Sequence, residues 1–412
     1  MKGTPDWKHE DRAPAFPVPP AQGDGPPGAP IRHCVSRIVG AAVILFLLSL
    51  LAAGCGPGEV PEEWSKLEEK ARNQGAITLY VFKYEDYFRT VAASFEEETG
   101  IQVTVISSSA EGTYQKMVAE REDRGTVDLW LLSASQVQPA VEDGLLYGPV
   151  MGRLPNAENV HPFDAQYAEG FEHGGYVVPA WRNQAVFAYN AMYVSQPPAS
   201  LADLEQWGKS NPGRFTYCDP ARGGSGQAFV NSALYWLTGE PQRYFEHFDQ
   251  AIVDEEWPRL WAWLRDIGPY VVYAADNNDA IEKLGRGEVW IAVTWEEMFL
   301  QWRADGRLPD SVRAYLPAPG LPGGADFLGV PANSTRKAAA LLFMNYLLSK
   351  ESQGTLMGML RMRPVRTDVA FPEPLAQLMI PWKELERYRL PWPHPGYKRE
   401  YKARWAEEVA IK

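Results

Sequence analysis

Two hydrophobic periods alternate along this chain, and that alternation is what most limits its possible folds. ITLYVF (residues 77–82) is a short β-rich run. DYFRTVAASFEEETG (86–100) then sets Phe88, Val91, Ala92 and Phe95 at the spacing of one helical face. It closes on a glycine, the residue that most easily takes the left-handed C-cap conformation. IQVTVI (101–106) is a second strand, EGTYQKMVAEREDRG a second helix of the repeat, and VDLWLLS (127–133) a third strand. Strands this continuously apolar are covered on both faces, and strand–helix–strand repeats build a parallel sheet. Ahead of them, EEWSKLEEKARNQG reads as an acidic amphipathic helix ending at Gly75.

YVVPAWRNQAVFAY (176–189) breaks the rhythm. It is too long and too β-rich for the preceding pattern, and it reads as a strand that leaves one sheet and enters another. The alternation then restarts. SLADLEQW is a helix with Ser200 as N-cap, RFTY a strand and GGSGQAFVNSALYWLTG a helix. WPRLWAWLRDIG and NNDAIEKLGRG are further helices, EVWIAVT a strand and WEEMFLQWRADG a helix. The segment from Asp326 gives a strand, a helix capped near Ser334 and a further helix, and the Pro- and aromatic-rich tail from Arg361 is expected to wrap the surface. The expected architecture is α/β with two lobes, each a mostly parallel sheet flanked by helices, linked by crossover strands. Residues 76–183 with 318–412 form lobe 1, and residues 184–317 form lobe 2. Such lobes leave a cleft lined by loops at the carboxyl ends of the strands.

The 412 residues carry a net charge of −12, with 45% hydrophobic and 22% charged side chains, the balance of a globular protein with a large core. Residues 1–54 hold five Lys/Arg and four Asp/Glu, so their removal moves the charge only from −12 to −13. That acidic surplus argues against a nucleic-acid partner. Residues 1–30 contain eight prolines and cannot bury enough apolar surface to fold. Arg32 and Arg37, an uncharged apolar run over 38–53, and the small residues before Cys55 follow in the order of a secretory signal. The sixteen-residue run is short for a spanning helix, which needs about 20 residues. The remaining cysteines, Cys34 and Cys218, define no disulfide framework, and Cys218 reads as a small buried hydrophobe.

Several segments resemble the substrate-binding lipoproteins of bacterial ABC importers, that is, type II periplasmic binding proteins of extracellular solute-binding family 1. ASFEEETGIQVTV (93–105) resembles their helix-to-strand signature, and VDLWLLSASQ (127–136) their third strand and first ligand loop. VPAWRNQAVFAYN (178–190) resembles their crossover strand, and GVPANSTRKAAALLFMNYLLSKESQ (329–353) their return to the first lobe. FTYCDPARGGSGQAFVNSALY and EEWSKLEEKARNQGAITLYVF resemble a subgroup for which thiamine is one suggested ligand. Ala52-Ala53-Gly54-Cys55 resembles the lipobox, although Ala52 stands where the family prefers leucine. The resemblance implies a signal segment over 1–54 and a diacylglycerol on Cys55. A lipidated tether and first helix follow over 55–75, anchored to the outer side of the membrane (the periplasmic face if the cell is Gram-negative). It further implies a receptor that closes by a hinge on a small polar solute and passes it to a permease and, through it, an ATPase. No cofactor and no metal are implied.

Candidate solute contacts lie after the strands. Lys83 and Tyr84 follow the first, Ser107, Ser108 and Ser109 the second, and Ser133 the third. Trp181 could stack a ring or cation on the crossover, and Arg182 could clamp a carboxylate. Gly224 and Ser225 sit in GGSGQAF, a glycine-rich helix entry whose free N–H groups suit an anion. That entry lacks the Lys-Ser/Thr ending of a nucleotide-binding loop. Asn277 and Asn278 precede a helix, as do Thr294, Trp295 and Glu296, and Glu296 would favour a cation. Each also has a plain reading as a helix cap, hinge packing or solvated surface, and the cues for solute charge conflict.

An envelope-anchored hydrolase and a sensory or scaffold lipoprotein are the rival readings. His161, His173, His247 and His394 form no HExxH motif, no GxSxG elbow is present, and Glu296 and Glu297 are adjacent on one helix, so they diverge. The translation start has two readings: a genuinely long leader, or initiation at Val35 from a GTG codon read as Met. Initiation at Val35 predicts that mass spectrometry of the uncleaved precursor finds no peptide from residues 1–32; such a peptide would refute it.

Overall fold

The computed structural model describes residues 62–245 and 247–410; the expected signal segment, Cys34, Cys55 and the expected tether lie outside the described residues. The chain divides into Met1–Ser65, of which only the first helical turn is described, and Lys66–Lys412. Helix α1 (Glu62–Gln74) ends at Gly75, whose φ of 71° gives the left-handed turn expected of it.

Strands β1 (Ala76–Val81), β2 (Gln102–Ser107) and β3 (Leu129–Leu132) pair in parallel, with Ile77 opposite Val103 and Leu79 opposite Leu129. Helix α2 (Glu85–Thr99) covers them with Tyr87, Phe88, Val91, Ala92 and Phe95, and Gly100 closes it by donating its N–H to Glu96 O. Helices α3 (Ala110–Ala119) and α4 (Ala134–Glu142) follow β2 and β3. Strand β4 (Val177–Asn190) is the long crossover anticipated from the sequence. Beyond it come α5 (Leu201–Ser210), β5 (Phe215–Thr216), α6 (Gly224–Thr238), α7 (Gln250–Ile267) and α8 (Asn277–Gly285). Strand β6 (Ile291–Trp295), α9 (Glu296–Ala304), β7 (Val312–Tyr315) and β8 (Leu321–Pro331) complete the sheet. Helices α10 (Lys337–Leu347), α11 (Lys350–Leu360) and α12 (Pro395–Trp405) come last.

The sheet runs β2-β1-β3-β8-β4-β6-β5. Its two long members, β4 and β8, pair antiparallel and bridge the parallel β1–β3 group to β6, which in turn pairs in parallel with β5. One core cluster lies beside β3 (Met117, Trp130, Leu132, Phe327), and two flank β4 and β6, around Phe229 with Trp257 and around Phe299 with Leu300. Among the described residues, no helix is long and apolar enough to cross a membrane.

The tail departs from the expectation of a surface wrap within lobe 1. Tyr397 and Tyr401 are fully buried and Trp405 nearly so. With Leu385, Leu390, Trp392 and Val409 they join the cluster built on Phe187, Phe229 and Trp257, on the β4–β6 side. The physical reason is aromatic spacing: 397, 401 and 405 share one helical face, which buries large apolar area only against another core. Where this tail meets the sheet, Gly320 has a φ of 116°, and a Cβ there would lie 1.8 Å from Tyr388 O. Gly320→Ala is therefore expected to cost more than about 2 kcal/mol in urea unfolding, because both its backbone conformation and its space exclude a side chain.

Candidate functional site

A cleft of about 520 Å³ opens where the strands end and the next helices begin. Of the sequence candidates, Lys83, Tyr84, Ser133, Trp181, Gly224, Asn277, Asn278 and Trp295 line it. They come from the ends of β1 and β3 and from β4, α6, α8 and β6, elements far apart in sequence. Lys83 and Tyr84 end the β1 turn, where Tyr84 takes a left-handed φ of 56°. Among the described residues, three non-glycine residues have positive φ, and two of them, Tyr84 and Glu169, line this cleft. Such strain persists where the surroundings impose it, and it clusters at ligand sites.

Lys83 Nζ lies 2.6 Å from Asp326 Oδ2, which also accepts from Trp181 Nε1 at 3.0 Å. The Tyr84 and Trp181 rings meet edge to face at 5.4 Å. From the tail, Lys398 pairs with Glu169 at 2.5 Å and lies over the Trp392 ring at 4.4 Å, and Trp392 neighbours Trp295 at 6.5 Å. Glu297 also lines the cleft; it is 9% exposed, and its Oε2 has no hydrogen-bond partner. Burial pushes its carboxyl up to about 7, against smaller opposing contributions from Asn183 and Lys83.

The other sequence candidates are placed elsewhere. Arg182 Nε is 2.6 Å from Asp164, which Arg389 also binds at 2.7 Å, and the Arg182 guanidinium lies over Trp382, so it is no open carboxylate clamp. Glu296 accepts from Arg363 at 2.5 and 2.7 Å and from Ile380 N at 2.7 Å, so its charge is already spent. Ser225 is fully buried, with its N–H and hydroxyl both donated to Asn277 Oδ1 at 3.1 and 2.8 Å. Thr294 is fully buried. Ser107 and Ser108 do not line the cleft, and Ser109 caps α3 by accepting from Gly112 N at 3.0 Å. Cys218 is buried and free, 3.3 Å from the Ser225 hydroxyl, and burial pushes its thiol up.

The same contacts change the reading of the glycine-rich entry. A Cβ on Gly224 would meet the Trp295 ring at 2.6 Å, and one on Gly226 would meet Cys218 O at 2.0 Å. The glycines let Trp295 and Cys218 close over the start of α6, and Asn277 takes its Ser225 N–H. Sequence reading missed Glu169, Asn183, Gln227, Glu297, Asp326, Trp392 and Lys398. Glu297 and Asn183 are the chain neighbours of the candidates Glu296 and Arg182, and it is these neighbours that line the cleft.

Glu297 carries a pH signature in the solute-free protein. Its folded value near 7 exceeds the ordinary 4.5, so between those values the native state binds more protons than the unfolded chain. Stability therefore falls as pH rises through that window, by at most about 3 kcal/mol. Glu297→Gln removes this dependence. Urea unfolding is expected to show the variant gaining on wild type between pH 5 and pH 8; a constant difference would refute the buried-carboxyl assignment.

Residues 90–379 match the family model described as bacterial extracellular solute-binding protein. Protein YnjB of Escherichia coli K12 is 25% identical over 346 residues, 78% of this chain and 84% of that protein. A maltooligosaccharide ABC transporter solute-binding lipoprotein of Streptococcus pneumoniae serotype 4 is 26% identical over 189 residues, 44% of this chain and 42% of its own. In fold, the spermidine/putrescine ABC transporter substrate-binding protein PotD of Streptococcus pneumoniae superposes with a TM-score of 0.62 at 17% identity, over 81% of this chain and 98% of that one. Type II periplasmic binding proteins thus share this fold, and the two streptococcal proteins are by name substrate-binding components of ABC transporters. The chain belongs to the bacterial extracellular solute-binding proteins, which bind a small solute and deliver it to an ABC importer.

Proposed function

We propose that the cleft lined by Lys83, Trp181, Asn277 and Trp295 is the solute site, and that the chain works there as a lipid-anchored receptor outside the membrane. The observation that carries this reading is convergence: side chains from β1, β3, β4, β6, α6 and α8 meet around one cavity large enough for a small polar molecule. The lobes are residues 76–183 with 318–412, and residues 184–317, linked by β4 and β8, with the aromatic end of the tail packed across onto the second lobe's core. Solute touching both would favour the closed form, which docks on the permease. Cys55 carries the lipid, two or more acyl chains giving the stable anchoring that one chain does not. The partners are a small polar solute, a permease with its ATPase and the membrane, with no nucleic acid.

Native mass spectrometry of freshly purified protein is expected to find a co-purifying small molecule. Adding that molecule back to stripped protein should raise Tm saturably without turnover. Trp295→Ala should weaken its binding on the order of tenfold, the scale of one lost aromatic contact. Hydrolysis of the bound molecule, or unchanged affinity in the variant, would count against the reading.

A further inference from the structure

The cues that pointed to an anion are used up by the protein itself. Arg182 is held by Asp164, and the start of α6 is closed by Trp295, Cys218 and Asn277. At the other helix starts around the cleft, Glu85 and Asp86 sit in the first turn of α2, Asp279 in that of α8 and Glu296 in that of α9, while α4 has no acid there and is closed by the Ser133–Gln136 capping box.

The charges that remain face one way. Lys83 is paired with Asp326 and Lys398 with Glu169, which leaves Glu297 without a cation of its own. Its Oε2 is buried, makes no hydrogen bond and belongs to a residue lining the cavity. A carboxyl in that position gains most from a positive group brought by the ligand. Trp295 also lines the cavity, and an indole there can attract a cation and stack a flat ring, whereas the Trp392 ring already carries Lys398. Among the described residues, no three His, Cys, Asp or Glu side chains come together to hold a metal ion, which favours an organic cation.

We propose that the solute is a small organic cation and that Glu297 is the side chain that selects it. This rests on the cleft being the solute site. Asn183, Lys83 and Glu296 act on the Glu297 carboxyl, which in turn acts on Tyr84, and Asp326, Glu169 and Lys398 line the same cleft. Docking a cation ionises Glu297, so the proton it holds near neutral pH is released on binding.

The test uses the full chain purified in detergent, wild type and Glu297→Gln, with unfolding curves to verify that both fold. Calorimetry compares 1-methylnicotinamide with its uncharged parent nicotinamide, and choline with its uncharged isostere 3,3-dimethylbutan-1-ol. Benzoate, inorganic phosphate and calcium serve as contrasts, and native mass spectrometry identifies what the protein retains from a cell extract. The retained molecule is expected to be an organic cation, and the charged probe of a pair is expected to bind better than its neutral partner. Glu297→Gln should weaken cation binding by about tenfold to a hundredfold, the scale of one opposite charge removed from beside a partly desolvated cation. Wild-type affinity should rise about tenfold from pH 6 to pH 8, and the variant's should not. A neutral or anionic retained solute, or cation binding indifferent to Glu297→Gln, overturns the inference and leaves the receptor reading intact. If nothing is retained and no probe binds, the receptor reading fails and this inference fails with it.

Discussion

The antiparallel pairing of β4 with β8 is the constraint on which the rest depends. Seven register pairs, from Val177 opposite Gly329 to Gln184 opposite Gly323, hold the two strands together, with Ala180 inserted as an extra residue. Each strand then carries its own set of neighbours, β3 on one side and β6 on the other. Immediately after the bulge Trp181 faces Asp326, and this pair fixes Lys83. A bulge re-aims side chains locally and twists the strand. Here it falls where the parallel β1–β3 group gives way to the β6 group, and the cleft opens there.

Around that junction two buried charge clusters tie distant segments together. Asp164 holds Arg182 and Arg389, and Glu296 holds Arg363, which also exchanges backbone hydrogen bonds with Arg182. Buried pairs of this kind are weak evidence for stability against an apolar alternative, but breaking one by removing a partner is costly. Their effect here is selective: they remove Arg182 and Glu296 from the reach of a solute. The neighbouring Asn183 and Glu297 face the cavity instead.

Much of the architecture was legible because it rests on local periodicity. The spacing of Phe88, Val91, Ala92 and Phe95, the closing Gly100 and the cap Ser200 describe helices that form as expected. The crossover over 178–190 was legible from its length alone. The tail was not, because three aromatics on one helical face say that the helix is buried and not against which core. Half of the candidate contacts also reached the cleft, since strand ends and helix starts are where open α/β sheets expose side chains. Of the residues that did not, Glu296 and Ser225 were lost to partners more than fifty residues away, and Arg182 to Asp164, a pairing no periodicity encodes.

By itself, then, the sequence determined the fold class, the order of the elements and the stretches of chain that border the cleft. Those properties follow from periods of two and 3.6 residues and from residues with special backbone freedom. The tertiary structure alone decided which charges remain available to a ligand. Availability depends on who pairs with whom in space, and Asp326, Glu169 and Arg363 are distant in sequence from the groups they neutralise. Glu296 and Glu297 are chemically identical neighbours; one is buried in an ion pair with Arg363 and the other lines the cavity with its Oε2 unpartnered, and the tail supplies the groups that hold Glu296.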